Sequence, residues 1–169
     1  QDQELLNLIH QELGELSDQD PNYLLTAQDI LYQLLNTNRD TNYWIFQGNP
    51  KVYDFETALE NEMLSTWAVS AHKDKINIGD KIILWITGDQ SGCYALAEGT
   101  SEVKERTPEN EQDSNWIDNH KSEFMVDIKI THNLIGTPIL KNKIQDIEAL
   151  SDIKAGSQGT NFSSTETEY

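Results

Sequence analysis

At 169 residues the chain has room for one core and an appendage, but not for a second full domain. Its 29 acidic against 12 basic residues give a formal net charge of −17, spread along the chain, which excludes binding modes that blanket phosphates with positive charge. The one cysteine, Cys93, excludes an internal disulfide, and no run looks like a signal peptide or a span of about 20 apolar residues. The expectation is a cytoplasmic protein without membrane contact.

In chain order, Leu5, Ile9, Leu13 and Leu16 recur at helical spacing, with Glu4, Glu12 and Glu15 on other faces. Residues 17–21 break this helix, and a second runs over about 27–35, with Thr26 as N-cap and Asp29 three residues on. Residues 36–40 read as a linker, so an N-terminal helical hairpin is expected over 1–40 and a second region from about Thr41.

Strand patterns follow. Tyr43-Trp44-Ile45-Phe46 is an apolar run ended by Gly48, Asn49 and Pro50. Asp54 can cap a helix carrying Phe55, Leu59, Met63 and Leu64. Gly79-Asp80 opens the run 81–86, and residues 87–92 turn it toward 93–97 as a hairpin. Residues 101–122 lack apolar periodicity apart from Trp116 and are expected to be a mobile loop. Phe124, Val126, Ile128 and Ile130 then alternate with Met125, Asp127 and Lys129, which predicts a strand with one buried face. A short helical piece is expected at 146–153. Short strands with two interspersed helices point to an α+β, barrel-like domain.

Of the four tryptophans, Trp44 and Trp85 lie inside apolar strand runs and read as core. Trp67 follows a helix among small polar residues, and Trp116 sits in a loop between Asn115 and Ile117. Rings so placed have less core to fill, and two of them can sandwich a planar base, with stacking worth roughly 1–3 kcal/mol per base. No phosphate-binding G-x-x-x-x-G-K-[ST] run and no zinc-deaminase signature occurs. His10, His72, His120 and His132 are isolated from each other and from Cys93, so no metal, cofactor or catalytic residue is expected. One enzymatic alternative stands beside this. Glu102-Val103-Lys104, with Asp80 or Asp89, has the form of a magnesium-dependent nuclease motif, although such triplets recur by chance at 127–129 and 152–154. A third reading is an adaptor that recruits a protein partner through the N-terminal helices.

The segment 43–50 resembles the opening strand of EVE domains, and Trp67-Ala68-Val69-Ser70, residues 78–85 and residues 94–98 continue that pattern in order. Residues 156–162 resemble the closing segment of EVE domains attached to McrBC-type modification-dependent restriction motors. The resemblance covers about 41–162 and leaves 163–169 as a tail or the start of a following region. The first residue is Gln1 rather than Met, so a fragment of a longer protein is expected. EVE domains are similar to YTH domains, both PUA-like, which implies a twisted β-barrel with flanking helices.

The implied function is non-catalytic: reading a flipped-out methylated or hydroxymethylated cytosine, or methylated adenine, in DNA rather than RNA. The implied setting is a restriction or defence protein whose effector is a following domain or another chain. Carried over by resemblance, Trp67 is the pocket tryptophan, Trp116 the second cage ring and Asn49 the reader of the base edge. Val69, Ser70 and Trp85 complete the expected base-binding set. Lys51, Lys73, Gln158, Thr160 and Asn161 are the expected contacts to the nucleic-acid backbone, with Gln158 where YTH domains often have an arginine. Lys75 and Lys154 are further candidate phosphate donors.

Overall fold

The computed structural model describes residues 40–107, 115–117, 122–145 and 147–169; residues 1–39 of the expected helical hairpin, and Asp146, lie outside them. The elements are β1 (Tyr43–Gly48), α1 (Phe55–Glu60), β2 (Thr66–Val69), β3 (Lys81–Ile86), β4 (Gly92–Gly99), β5 (Lys104–Glu105), β6 (Phe124–Asn133), β7 (Ile139–Leu140), α2 (Lys141–Ile144), a 3₁₀ turn (Glu148–Leu150) and β8 (Asn161–Ser164). They form one mixed sheet in the order β2-β6-β4-β3-β1-β8, with β5 added to β6 and β7 to β4. Only β1 and β3 pair in parallel among these strands. A parallel pair needs a long crossover, and residues 49–80, with α1 and β2, supply it. Register shifts at Leu84/Trp85 in the β3–β4 ladder and at Leu96/Ala97 in the β4–β6 ladder bend the strands, and the sheet curls into a half-barrel. No helix of the described residues is long and apolar enough to cross a membrane.

The apolar strands divide their side chains between two clusters. Trp44, Phe46, Ile82, Leu84, Ile86, Ala95, Ala97, Val126 and Ile128 face the concave core, which α1 closes with Phe55, Ala58 and Leu59. Ile45, Ile83, Trp85 and Cys93 face the other side and pack on Ile144 and Ala155. This two-sided burial explains why β1 and β3 are apolar at consecutive positions. Asp54 caps α1 as expected, its carboxylate accepting from Thr57 N at 3.0 Å.

Four expectations need correction. The helix after Asp54 ends at Glu60, and Glu62, at φ 56°, reverses the chain so that Met63 is 52% exposed while Leu64 turns inward. Met125 does not face solvent: it is fully buried, at the start of β6 where the strand pairs with Ala68 of β2 on one side and Lys104 of β5 on the other. The stretch 101–122 is not all loop: β5 forms within it, and Trp116 bridges to Tyr53. The helical piece expected at 146–153 is a 3₁₀ turn, and α2 precedes it.

β8 also runs past residue 162, pairing Ser163 with Trp44 and Ser164 with Tyr43, and the Tyr169 ring lies 5.7 Å from that of Tyr43. The barrel is not closed by a ladder. Its open ends, β2 and β8, are joined by side chains instead: Ser70 N donates to Asn161 Oδ1 at 3.1 Å, and the Ser70 and Thr160 hydroxyls share a short hydrogen bond.

Candidate functional site

At this side-chain seam a cavity of about 420 Å³ opens to solvent, within the range of small-molecule sites. Trp67, Phe55, Tyr53 and Trp116 line it, and with Phe46 beneath they form a continuous chain of rings. Trp67 stacks on Phe46 (6.1 Å, 29°) and on Phe55 (5.1 Å, 28°). Phe55 meets Tyr53 at 4.8 Å, and Tyr53 meets Trp116 edge-on at 5.2 Å. Gly48 makes room for this arrangement. A Cβ there would sit 2.2 Å from Phe55 Cζ, so only glycine lets the Phe55 ring lie against β1.

Trp67 and Trp116 thus line one cavity, but in different ways. Trp67 is a residue of strand β2 rather than of a loop, and it is 5% exposed, so it is core first and cavity wall second. Trp116 is half-buried and held from the backbone up: Asp54 N donates to Asn115 O at 2.8 Å and Ile117 N to Val52 O at 2.9 Å. The Arg106 guanidinium lies over its ring at 5.2 Å. Arg106 is itself fixed by its backbone N donating to Glu123 O (2.7 Å) and its Nε to Ser122 O (3.0 Å).

Asn49 lines the cavity. Its Oδ1 accepts from Lys51 N at 2.9 Å and its carbonyl from Val52 N, a local turn that fixes the side chain. Thr160 also lines it. Gln47, not foreseen, fixes the closing segment by donating from Nε2 to Ser157 O and Gly159 O and accepting at Oε1 from Gly156 N. Tyr53, Phe55 and Arg106 were also missed. The available signal for Arg106 was that it is the one arginine after Arg39.

The remaining expected residues fall elsewhere. Trp85 does not reach the cavity: it is on the opposite face of β3, 1% exposed, with its Nε1 donating to Ser91 Oγ at 2.9 Å. Val69 is fully buried in the concave core behind the cavity wall. Ser70 sits at the seam rather than in the lining. Asn161 is 3% exposed and its Oδ1 is engaged by Ser70 N and Thr160 Oγ1, so it staples the barrel and cannot touch a phosphate as placed. Lys51, Lys75 and Gln158 are exposed, Lys73 Nζ lies 3.4 Å from the Phe124 ring centroid, and Lys154 Nζ donates to Ser163 Oγ.

The residues of the nuclease alternative are not brought together as a metal site. Asp80 is 1% exposed and accepts from Trp44 Nε1 (2.7 Å), Asn77 N (2.9 Å) and Asn42 N (3.2 Å), a buried carboxylate used to anchor strand starts. Lys104 Nζ pairs with Asp127 at 2.5 Å, Asp89 is exposed in the β3–β4 turn, and Glu102 is exposed. Among the described residues no group of three or more His, Cys, Asp or Glu is placed to hold a metal. Among the described residues the cavity lining carries no carboxylate, and Arg106 is the charged residue in it.

The EVE domain family model matches residues 42–168. No curated protein matches the chain. Solved structures share the fold. A hypothetical protein from Leishmania major is 18% identical, with a TM-score of 0.57 over 77% of this chain and 90% of that one. A protein from Agrobacterium tumefaciens is 17% identical, with a TM-score of 0.55 over 76% and 88%. The human THYN1 protein, whose structure is described as in complex with 5-methylcytosine-containing DNA, is 11% identical, with a TM-score of 0.54 over 76% and 93%. With the family model spanning β1 to β8 and these structures sharing the curled sheet, the chain belongs to the EVE domain family.

Proposed function

We propose that the domain is a non-catalytic reader that takes a flipped-out, modified nucleobase into the cavity at the barrel seam. The observation that carries this reading is the cavity's make-up: about 420 Å³, walled by Trp67 and Trp116, with Asn49 at its edge. A base extruded from its strand loses stacking, and aromatic walls restore roughly 1–3 kcal/mol of it. The Asn49 amide tests the polar edge of the base. A methyl group buried against rings adds about 0.8 kcal/mol, a preference of about fourfold, so stronger selectivity also needs polar groups that clash with the wrong base.

The human THYN1 structure with 5-methylcytosine-containing DNA supports cytosine modification and DNA as the first targets to test. Attachment to a McrBC-type restriction or defence machine, with the effector in another domain or chain, is the setting in which such a reader acts as sensor. The test is an equilibrium titration of short DNA and RNA strands carrying unmodified, methylated or hydroxymethylated cytosine, or methylated adenine. One modified strand should bind about tenfold or more tighter than its unmodified counterpart. Equal affinity for all strands, or none for any, refutes the reading.

A further inference from the structure

We infer that Gln47 is a positioning residue for the captured base: its side chain holds the segment 156–160 as one wall of the cavity, and through that wall it sets the affinity for the strand. This rests on the base-reading function proposed above. Gly159 and Thr160 of the segment line the cavity. Burial of its own side chains does not fix the segment, because every residue from Gly156 to Thr160 is exposed, between Ala155 and Asn161, which are 5% and 3% exposed. Gly156 at φ 83° and Gly159 at φ 137° supply turns that glycine takes without strain, and they also give the segment the most backbone freedom to lose.

Hydrogen bonds must therefore position it, and four of them involve one residue. Gln47 N donates to Thr160 O at 2.7 Å, Nε2 donates to Ser157 O at 2.9 Å and to Gly159 O at 3.0 Å, and Oε1 accepts from Gly156 N at 2.7 Å. The Thr160 hydroxyl adds a bond to Asn161 Oδ1 at the far end. The first of the four comes from the backbone and survives any side-chain change that keeps the strand; the other three belong to the Gln47 amide, whose N–H groups are thereby spent on the wall. Three neutral hydrogen bonds are together enough to change the population of the ordered wall about tenfold or more. A wall that is in place in only a fraction of molecules lowers the apparent affinity by that fraction.

The test uses the full chain, Gln47→Ala, Gln47→Glu, and whichever strand of the panel above wild type binds most tightly. In Gln47→Ala the Gly156 amide should exchange with solvent about tenfold faster and the strand should bind about tenfold more weakly. Gln47→Glu separates positioning from general damage to the fold. Its ionised carboxylate still accepts from Gly156 N but is repelled by the carbonyl oxygens of Ser157 and Gly159, whereas the protonated acid donates to one of them. The ordered wall thus favours the protonated form and raises that carboxyl above its ordinary value of about 4.3, so strand affinity, weak at about pH 7.5, should recover toward wild type as pH falls to about 5.5. Wild type, measured over the same range, supplies the baseline for every other titrating group. Gln47→Ala binding as wild type overturns the inference, as does a Gln47→Glu affinity that only parallels wild type across the pH range. Failure of the base reading looks different: wild type binds modified and unmodified bases alike while Gly156 exchange still responds to Gln47→Ala. Absence of binding to any strand overturns both.

Discussion

Replacing Trp67 or Trp116 with alanine should give opposite balances of stability and binding loss, because the two rings share a cavity but not a burial. Trp67 is 5% exposed and stacks between Phe46 and Phe55 at 6.1 and 5.1 Å. Truncating such a ring leaves a core void and costs about 3–5 kcal/mol, a large part of the 5–15 kcal/mol that holds a typical domain. At this size each kcal/mol moves Tm by about 3 °C, so Trp67→Ala should melt about 10–15 °C lower. Trp116 is half-buried and its segment is held by backbone bonds to Val52 and Asp54, which survive truncation. Losing its edge contact with Tyr53 and its contact with Arg106 costs about 1–2 kcal/mol, or roughly 3–6 °C. Its stacking on a base is worth about 1–3 kcal/mol, so Kd for the modified strand should rise about 5- to 150-fold. Circular dichroism melts and a titration well below either midpoint separate the effects. The reasoning fails if Trp67→Ala melts within a few degrees of wild type, or if Trp116→Ala is the more destabilised of the two.

Asn161→Ala removes the acceptor that ties Ser70 N across the barrel seam. It should cost about 1–3 kcal/mol and speed hydrogen exchange at the Ser70 amide; unchanged protection there would show that the seam does not depend on Asn161. Cys93 is buried against Trp85 and Ile83, and burial pushes its thiol from 9.0 up to about 11. The raised value favours the neutral thiol in the fold, so its contribution to stability is complete below about pH 9 and is lost as pH rises toward 11. A thiol reagent at pH 8 should label Cys93 only after denaturant is added, and rapid labelling of native protein would contradict its placement.

The sheet was legible where a continuous apolar run or an alternating one met clear punctuation. Tyr43–Phe46 ahead of Gly48, the hairpin turning at Gly88–Gly92, the alternation from Phe124 and the Asp54 cap all lie where local chemistry puts them. β2 was not legible, because the four residues Thr66-Trp67-Ala68-Val69 are too few to show a period, and pairing with β6 makes them a strand. The assignment of faces failed where every position is apolar. Along β3, Ile83 and Trp85 look no different from Ile82 and Leu84, yet they point to opposite sides of the sheet. Within the site, Trp67, Trp116, Asn49 and Thr160 do meet at one cavity. Tyr53 and Phe55 were hidden by looking like the ordinary apolar start of a helix, and Arg106 by mattering only through the ring it lies over.

The central claim is tested most directly by the four tryptophans themselves. Their indole N–H groups give separate NMR signals, and the structure assigns two to the cavity and two away from it: Trp44 Nε1 bonds to buried Asp80, and Trp85 Nε1 bonds to Ser91 on the far face. Titrating a strand that carries the modified base should move or broaden the Trp67 and Trp116 signals and leave those of Trp44 and Trp85 in place. Changes confined to Trp85, or binding without any change at Trp67 and Trp116, would put the base somewhere other than the cavity at the seam.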